Sequence, residues 1–188
     1  MRKLNVLVAG STGYIGIQLV KLLVKHQNVN IMYLCGNSSV GKDISFFDKD
    51  LKYKKLPKIV KFNKSYLNKV DIIFTALPNG KAQLLSHHLL KKNRLIDLAA
   101  DFRLEDPKEY KKWYKINHKA VQNISNSIYG IPEISKKYLK SYQIIGCPGC
   151  YPTSILLPLI PLLKKNLISH KNIIIDSKSG YSGAGRGI

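Results

Sequence analysis

The sequence is poor in cysteine and has no long apolar run. Its 188 residues include three cysteines, at positions 35, 147 and 150, and this odd, sparse set does not make a disulfide framework. A reducing compartment is therefore favoured. No apolar run is long enough to span a bilayer, and residues 1–3 lead directly into a strand pattern that leaves no room for a signal or transit peptide. We expect a cytoplasmic protein without a membrane partner.

Acidic side chains are also scarce, with 11 Asp and Glu against 31 Lys and Arg, for a formal net charge of +20. Such an excess is typical of nucleic-acid-binding proteins. Here the basic residues are nearly all lysines that scatter along the chain, and the densest stretch, residues 52–64, has few aromatics to stack on bases. We interpret the charge as a solvated surface that helps to attract a phosphorylated substrate and cofactor, and we expect no nucleic-acid partner.

The chain is organised around the stretch GCPGCYPT at residues 146–153, which lies between two apolar runs and reads as strand, tight turn and helix. Pro152 suits a first helical turn, so Cys150 is predicted at or just before a helix N-terminus. Backbone N–H groups and the helix dipole favour a thiolate there, and a thiolate can attack an acyl carbon. Two alternatives stay open: a buried structural Cys150, or a redox pair of Cys147 and Cys150. Because the chain has one C-x-x-C pair and no second pair at a suitable spacing, we expect no zinc or other metal site.

A second glycine-rich turn opens the chain. Residues 4–9 read as a buried strand, the segment GSTGYIG follows at once, and apolar residues then recur at helical spacing. Glycines in this context let the backbone approach a pyrophosphate, whose charge the helix N-terminus favours. The turn predicts dinucleotide binding, with a merely structural tight turn as the alternative. The residues concerned are Gly10, Ser11, Thr12, Gly13, Tyr14, Ile15 and Gly16.

The end of the next predicted strand, residues 29–35, indicates which dinucleotide is bound. A free ribose 2′-hydroxyl usually meets an Asp or Glu near this position, but no acidic residue occurs before Asp43. Ser38, Ser39 and Lys42 stand there instead and suit a 2′-phosphate. The segment therefore favours NADP over NAD, although solvated loop polarity explains it nearly as well.

Further elements complete an alternation of strands and helices. Strands are predicted at residues 70–75, 95–98 and 172–176, and helices at residues 81–92, 105–114 and 153–165. We expect Trp113 on the packing side of its helix, His87 and His88 in solvent, and the last helix bent or short because of Pro158 and Pro161. The alternation predicts an α/β fold with a Rossmann-type doubly wound parallel sheet.

Six motifs follow one another along the chain. They are GSTGYIG at residues 10–16, ALPNG at 76–80, IDLAADFRL at 96–104, YGIPE at 129–133, PGCYPTS at 148–154 and KSGYSGAGR at 178–186. Together and in this order they resemble the N-acetyl-γ-glutamyl-phosphate reductase family, within the semialdehyde dehydrogenase superfamily. The resemblance covers essentially the whole chain.

The resemblance implies a homo-oligomeric enzyme of arginine biosynthesis that reduces N-acetylglutamyl 5-phosphate to N-acetylglutamate 5-semialdehyde with NADPH. Cys150 matches the catalytic Cys that expels phosphate and forms a thioester, which then accepts hydride. Arg103 and Arg186 are candidates for the carboxylate or phosphate of the substrate, with a structural salt bridge as the alternative. Besides the seven residues of the first glycine turn, the implied cofactor-binding residues are Ser38, Leu77, Pro78, Ser179, Gly180, Ser182 and Gly183.

The resemblance also implies a division of the chain. Residues 1–147 would form the NADP-binding domain, without its last helix, and residues 148–188 the start of an α+β catalytic and dimerisation domain that is truncated. The family's acid–base His belongs to a region beyond Ile188, and none of the five histidines in the chain matches it.

One residue departs from the family pattern, because Cys147 stands where the family usually has Asn. Our hypothesis is that Cys147 and Cys150 can form a disulfide that silences the enzyme; finding only separate thiols by mass spectrometry after mild oxidation would exclude it. The alternative functions are a related dehydrogenase acting on aspartyl or aminoadipyl phosphate, a thiol–disulfide protein, and a non-catalytic remnant that still binds NADP or nucleic acid.

Overall fold

The computed structural model describes residues 2–184, which form one seven-stranded sheet with helices. All strand pairs are parallel, and the strand order is β3-β2-β1-β4-β5-β7-β6. The prediction of a doubly wound parallel sheet is confirmed. The strands are β1 Leu4–Ala9, β2 Val29–Cys35, β3 Ile59–Val60, β4 Ile72–Thr75, β5 Arg94–Asp97, β6 Ser127–Tyr129 and β7 Ile144–Gly146.

Five α-helices are described between or after these strands. They are α1 Tyr14–Lys25, α2 Lys81–Ser86, α3 Pro107–Tyr114, α4 Pro132–Leu139 and α5 Cys150–Lys164. The chain goes outward from β1 through β2 to β3 and then returns to β4 on the other side of β1. The carboxyl ends of β1 and β4 therefore flank the point where the strand order reverses, which is where open α/β sheets bind ligands.

Both faces of the sheet are buried, so its central strands β1 and β4 are mostly apolar. Side chains alternate across a strand, and in β1 Val6 and Val8 pack with α1 whereas Leu7 and Ala9 face the side that carries α2. Phe102 lies in the same cluster as Leu7 and Ala9 and is 2% exposed. Such two-sided burial explains why the predicted strands read as continuous apolar runs.

Asp101 connects the two helices that follow β4 and β5. Its carboxylate is fully buried and accepts hydrogen bonds from the Gly80 backbone N–H at 2.6 Å, the Gln83 side chain at 3.2 Å and the Tyr110 hydroxyl at 2.8 Å. Gly80 is the N-cap of α2 and has no side-chain acceptor of its own. Asp101 thus supplies the missing cap from a distant part of the chain and holds α2 over the sheet.

Helix α2 is shorter than predicted, because it ends at Ser86 and not near residue 92. The Ser86 hydroxyl donates to the Gln83 carbonyl at 2.6 Å, and the buried Asn93 side chain donates to the carbonyls of Leu67 and Val70 at 3.1 and 2.8 Å. These bonds fix the connection to β5 in a non-helical path. The helical pattern continues in the sequence, but tertiary hydrogen bonds decide where the helix stops.

The prediction that Trp113 packs inward from α3 is wrong. Its side chain is 67% exposed, and its indole N–H donates to Glu109 at 3.0 Å. Tyr110 is the buried residue of this helix, because its hydroxyl has the Asp101 carboxylate as an acceptor.

The end of the described chain also differs from the prediction. Residues 172–176 form no strand, since a strand requires a hydrogen-bonded neighbour and none lies beside them within residues 2–184. Helix α5 is not short: it runs for 15 residues through Pro158 and Pro161. Each proline removes only its own N–H, and neighbouring residues keep the helix. Within α5 no residue is buried.

No helix among the described residues is both long and apolar enough to cross a membrane.

Candidate active site and cofactor crevice

The first glycine turn is built by close packing at two of its glycines. Gly10 has a φ of +82°, and a Cβ added there would overlap the carbonyl oxygen of Ala76. A Cβ at Gly16 would overlap the carbonyl oxygen of Gly10. The Ser11 hydroxyl is buried and donates to the Cys35 carbonyl at 3.2 Å. Gly10, Ser11 and Gly16 therefore shape the turn and bring β1, α1 and the loop after β4 together.

Gly13 has a different environment within the same turn. It is the N-cap of α1, and a Cβ there would meet only the Gly10 carbonyl oxygen, at 3.6 Å. No side chain caps α1, and its first turn has no acidic residue. The helix therefore directs its positive end toward the carboxyl edge of the sheet without a competing protein anion, which fits a bound pyrophosphate.

A cavity of about 390 Å³ opens beside this turn. Gly10 and Thr12 line it from the glycine turn, and Gly36 and Asn37 line it from the end of β2. Its opposite wall is α2 with the loop before it, and its size is that of a small-molecule site. The remaining lining residues are Ala9, Cys35, Phe62, Leu77, Lys81, Leu84, Leu85 and His88.

The predicted cofactor residues are distributed unevenly around this cavity. Gly10, Thr12 and Leu77 line it, whereas Ser38 follows the lining residue Asn37 without being part of the wall, and Pro78 is exposed at the start of the next loop. Tyr14 and Ile15 lie at the start of α1 with partly exposed side chains. Ser179, Gly180, Ser182 and Gly183 lie on an exposed segment outside the cavity lining, and Arg186 lies outside the described residues.

Sequence reasoning missed the wall formed by α2. Lys81, Leu84, Leu85 and His88 all line the cavity. Their spacing of three, four and seven residues is that of one helical face, which was the available signal. Instead, His88 was interpreted as an ordinary solvated residue. His88 is exposed, but it also lines the cavity.

Cys150 is the first residue of α5, directly after the N-cap Gly149, so its predicted position is confirmed. Its side chain is exposed, α5 has no side-chain cap, and no acidic residue lies in its first turn. Pro152 lies in that turn, as expected. A thiol placed at an uncapped helix N-terminus and open to solvent has the setting of a nucleophile.

Arg103 holds the turn that precedes Cys150. Its Nε donates to the Cys147 carbonyl at 2.8 Å and its Nη2 to the Leu98 carbonyl at 3.4 Å. A Cβ added to Gly149 would lie 3.3 Å from Nη1 of this guanidinium. Among the described residues no carboxylate pairs with Arg103, so the alternative of a structural salt bridge finds no partner there.

The two cysteines of this turn differ in environment. Cys147 is partly buried, and burial raises the pKa of its thiol to about 11, so the thiol stays protonated at neutral pH. Its backbone N–H donates to the Asp97 carbonyl at 2.8 Å. Cys150 is exposed, and both residues are free thiols. Cys150 is therefore the better placed nucleophile of the pair.

Asp97 lies under the cysteine turn and accepts three hydrogen bonds. They come from the Thr75 hydroxyl at 2.8 Å, the Ala99 N–H at 3.2 Å and the Asp101 N–H at 3.0 Å. Burial nevertheless dominates and raises the pKa of Asp97 to about 6. The folded chain therefore holds this proton more tightly than the unfolded chain does.

We expect the contribution of Asp97 to the free energy of unfolding to fall as pH rises from about 4 to about 6, because the unfolded chain releases the Asp97 proton first. The loss should be on the order of 2 kcal/mol. Urea unfolding of the wild type and of Asp97→Asn at several pH values tests this. Between pH 4 and pH 6 the free energy of unfolding of Asp97→Asn should rise relative to that of the wild type. A difference between the two proteins that stays constant from pH 4 to pH 7 would contradict the assignment.

Within residues 2–184 there is no group of three or more His, Cys, Asp or Glu side chains that could hold a metal ion.

Sequence comparison assigns this architecture to a family. The sequence model described as "Semialdehyde dehydrogenase, NAD binding domain" matches residues 5–142, and the one described as "Semialdehyde dehydrogenase, dimerisation domain" matches residues 150–188. The chain therefore belongs to the semialdehyde dehydrogenase family. The structure agrees with this assignment. It has a doubly wound sheet, a glycine turn after β1 and an exposed Cys at a helix N-terminus.

Within that family, the similar curated relatives carry one name. The chain is 42% identical over 188 residues to "N-acetyl-gamma-glutamyl-phosphate reductase" of Ehrlichia canis (strain Jake), covering 99% of the chain and 54% of the relative. It is 42% identical over 178 residues to the probable chloroplastic enzyme of that name in Arabidopsis thaliana, covering 95% of the chain and 44% of the relative. The resemblance drawn from the motifs is thus confirmed, and the chain spans about half the length of the curated relatives it matches.

Solved structures support the fold at lower identity. Aspartate semialdehyde dehydrogenase II from Vibrio cholerae superposes with a TM-score of 0.60 at 17% identity, over 87% of this chain and 43% of that one. Aspartate semialdehyde dehydrogenase with NADP from Candida albicans superposes with a TM-score of 0.52 at 20% identity, over 87% of this chain and 47% of that one. At these identities the likeness concerns the fold alone.

Proposed function

We propose that this chain is the cofactor-binding and nucleophile-bearing part of an NADPH-dependent N-acetyl-γ-glutamyl-phosphate reductase of arginine biosynthesis. The observation that carries the proposal is Cys150, exposed at the first position of α5 and directly after a turn that Arg103 holds through the Cys147 carbonyl. It stands in a chain that is 42% identical to reductases of that name. The substrate would be N-acetylglutamyl 5-phosphate and the product N-acetylglutamate 5-semialdehyde.

In the proposed acyl transfer, Cys150, Arg103 and the N-terminus of α5 have separate roles. The Cys150 sulfur, as thiolate, attacks the acyl carbon; a C–S bond forms, the C–O bond to phosphate breaks, and phosphate leaves as the anion. Arg103 fixes the turn through the Cys147 carbonyl and presents its remaining N–H groups toward the substrate's phosphate or carboxylate. The N-terminus of α5 stabilises the thiolate that starts the reaction. Arg186 remains a second candidate for the substrate anion.

The first glycine turn and the cavity beside it would hold NADPH, which when bound supplies the hydride that reduces the thioester. The fit rests on the uncapped N-terminus of α1 at Gly13 and on a cavity lined by Gly10, Thr12 and Leu77. Ser38 is proposed at the 2′-phosphate side, because it follows the cavity residue Asn37. Ser179, Gly180, Ser182 and Gly183 are proposed near the reactive end of the cofactor because they match the KSGYSGAGR motif of the resemblance.

We further propose a homo-oligomer in the cytoplasm, with the cofactor domain ending at residue 147. The two family matches fall on either side of that position, and the second is described as a dimerisation domain. Helix α5 supports this reading: it is rich in Leu, Ile and Pro, yet none of its residues is buried in the described chain. An apolar helix of this kind requires a covering surface.

The proposal is tested by the reverse reaction, in which NADP is reduced by N-acetylglutamate 5-semialdehyde in the presence of phosphate. We expect a phosphate-dependent increase in NADPH absorbance, with a kcat/KM at least about 100-fold above that with aspartate semialdehyde. The reason is that N-acetylglutamate 5-semialdehyde has one more methylene and an acetamide in place of the free amine. A preference for aspartate semialdehyde would assign the chain to the related dehydrogenases. Tight NADP binding without turnover of either aldehyde, both in the 188-residue chain and with the reading frame extended, would favour the non-catalytic alternative.

A further inference from the structure

Helix α2 forms one wall of the cofactor cavity and is too short to stabilise its own first turn. It has six residues, and its N-cap is Gly80, which has no side chain to bond the free N–H groups of that turn. Lys81, Leu84 and Leu85 line the cavity from α2, and Leu77 lines it from the loop just before the helix. The placement of the first turn of α2 therefore sets the shape of the cavity.

Asp101 holds this first turn, and both of its carboxylate oxygens accept hydrogen bonds. Oδ1 accepts from the Gly80 N–H at 2.6 Å, the Gln83 side-chain amide at 3.2 Å and the Tyr110 hydroxyl at 2.8 Å. Oδ2 accepts from the Gln83 backbone N–H at 3.2 Å. Three of these four bonds come from α2 and its N-cap. An amide in place of the carboxylate would turn an N–H₂ group toward at least one of those three donors, whichever way it is oriented.

The segment that contains Asp101, residues 97–103, also holds the cysteine turn. The Cys147 backbone N–H donates to the Asp97 carbonyl at 2.8 Å, and the Cys147 carbonyl accepts from Arg103 Nε at 2.8 Å. Within residues 2–184 the Asp101 side chain makes no hydrogen bond to the cysteine turn. One short segment thus bonds the cavity wall through Asp101 and, separately, the turn before the nucleophile through Asp97 and Arg103.

We propose that Asp101 is a positioning residue for the cofactor: it fixes α2 as a wall of the NADPH cavity from the same segment that fixes the cysteine turn. The proposal rests on the proposed function, since it concerns the cofactor site of that reaction. When one of its acceptors is lost, the first turn of α2 shifts and the wall is no longer preorganised. Nucleotide binding then has to restore the wall, so the affinity for NADPH falls. Asp101 itself touches neither cofactor nor substrate in this scheme.

Two substitutions of similar size separate the placement of the wall from general stability. Asp101→Asn should raise the Kd for NADPH about tenfold, measured by fluorescence titration of the 188-residue chain. Tyr110→Phe is the matched control, because it removes a hydrogen bond from the same carboxylate but from α3, which contributes no residue to the described cavity wall. It should lower the stability in urea while the Kd stays within about twofold of the wild-type value.

Gln83→Met keeps the test decisive if Asp101→Asn does not fold. It removes the amide N–H that bonds Asp101, together with the acceptor of the Lys119 N–H, and leaves the Gly80 and residue-83 backbone N–H groups bonded. We expect its Kd for NADPH to rise about three- to fivefold. In the nucleotide-free protein, iodoacetamide should alkylate Cys150 at the wild-type rate in all three variants, because the bonds that hold the cysteine turn are untouched.

The possible outcomes distinguish this inference from the proposed function. A wild-type Kd in Asp101→Asn, or in Gln83→Met where the first variant is unfolded, overturns the inference and leaves the proposed function intact. Equal losses of affinity in Asp101→Asn and Tyr110→Phe also overturn it, because affinity would then follow stability. A changed Cys150 rate in Asp101→Asn alone places the effect in the cysteine turn and likewise overturns it. Failure of the wild type to bind NADPH, both as the 188-residue chain and with the reading frame extended, removes the proposed function and the inference with it.

Discussion

Cys150→Ser should abolish the phosphate-dependent reduction of NADP by N-acetylglutamate 5-semialdehyde. A serine hydroxyl in the same position is far less ionised than a thiol, and the N-terminus of α5 cannot make up that difference. Removing a catalytic nucleophile typically costs about 10⁴- to 10⁶-fold in kcat, so residual turnover should fall to background. Steady-state assays at saturating NADP measure this.

Cys147→Ser is the control for that result. Cys147 lies three residues earlier, is partly buried and keeps its proton, so its substitution should leave most of the activity in place. A thiol-reactivity experiment supplies a second readout: iodoacetamide at neutral pH should alkylate the exposed Cys150 well before Cys147 or the buried Cys35. Equal loss of activity in both serine variants would contradict a single nucleophile and would favour a working cysteine pair.

Gly10→Ala should both destabilise the fold and remove dinucleotide binding. Gly10 has a φ of +82°, and the added Cβ would overlap the Ala76 carbonyl. The left-handed conformation costs about 1–2 kcal/mol for alanine, and forced repacking adds about 1–3 kcal/mol. We expect a loss of about 3 kcal/mol in the free energy of unfolding, measured in urea. NADPH titration should show no binding, because relief of the overlap moves the turn that carries the pyrophosphate.

Gly41→Ala provides a matched comparison. Gly41 has nearly the same φ, +85°, but a Cβ there meets nothing within 4 Å. This variant therefore carries only the conformational cost, about 1 kcal/mol, and should keep NADPH binding. If Gly10→Ala and Gly41→Ala lower the free energy of unfolding equally, the close approach of the first glycine turn to the loop after β4 does not contribute to stability.

Local patterns predicted the parts of the fold that depend on neighbours in sequence. The strand at residues 29–35 was predicted with its observed ends, and Cys150 was placed correctly at a helix start by the Pro-Gly turn before it and Pro152 after it. Errors arose where distant residues intervene. The Asn93 side chain bonds two distant carbonyls and fixes a non-helical connection after α2. Asp101 accepts a hydrogen bond from the buried Tyr110, while Trp113 stays exposed. Residues 172–176 have no strand beside them in the described chain.

The sequence by itself determined the doubly wound sheet, the glycine turn and the family, because apolar runs, turn residues and ordered motifs are all local in the chain. Only the tertiary structure decided which residues share a site. Arg103 and Cys147 are 44 positions apart and meet because β5 and β7 are neighbours in the sheet. Lys81 and His88 face Gly36 and Asn37 because β4 returns beside β1 after β2 has left it. Strand order fixes such pairings through burial and backbone hydrogen bonds, which no short stretch of sequence specifies alone.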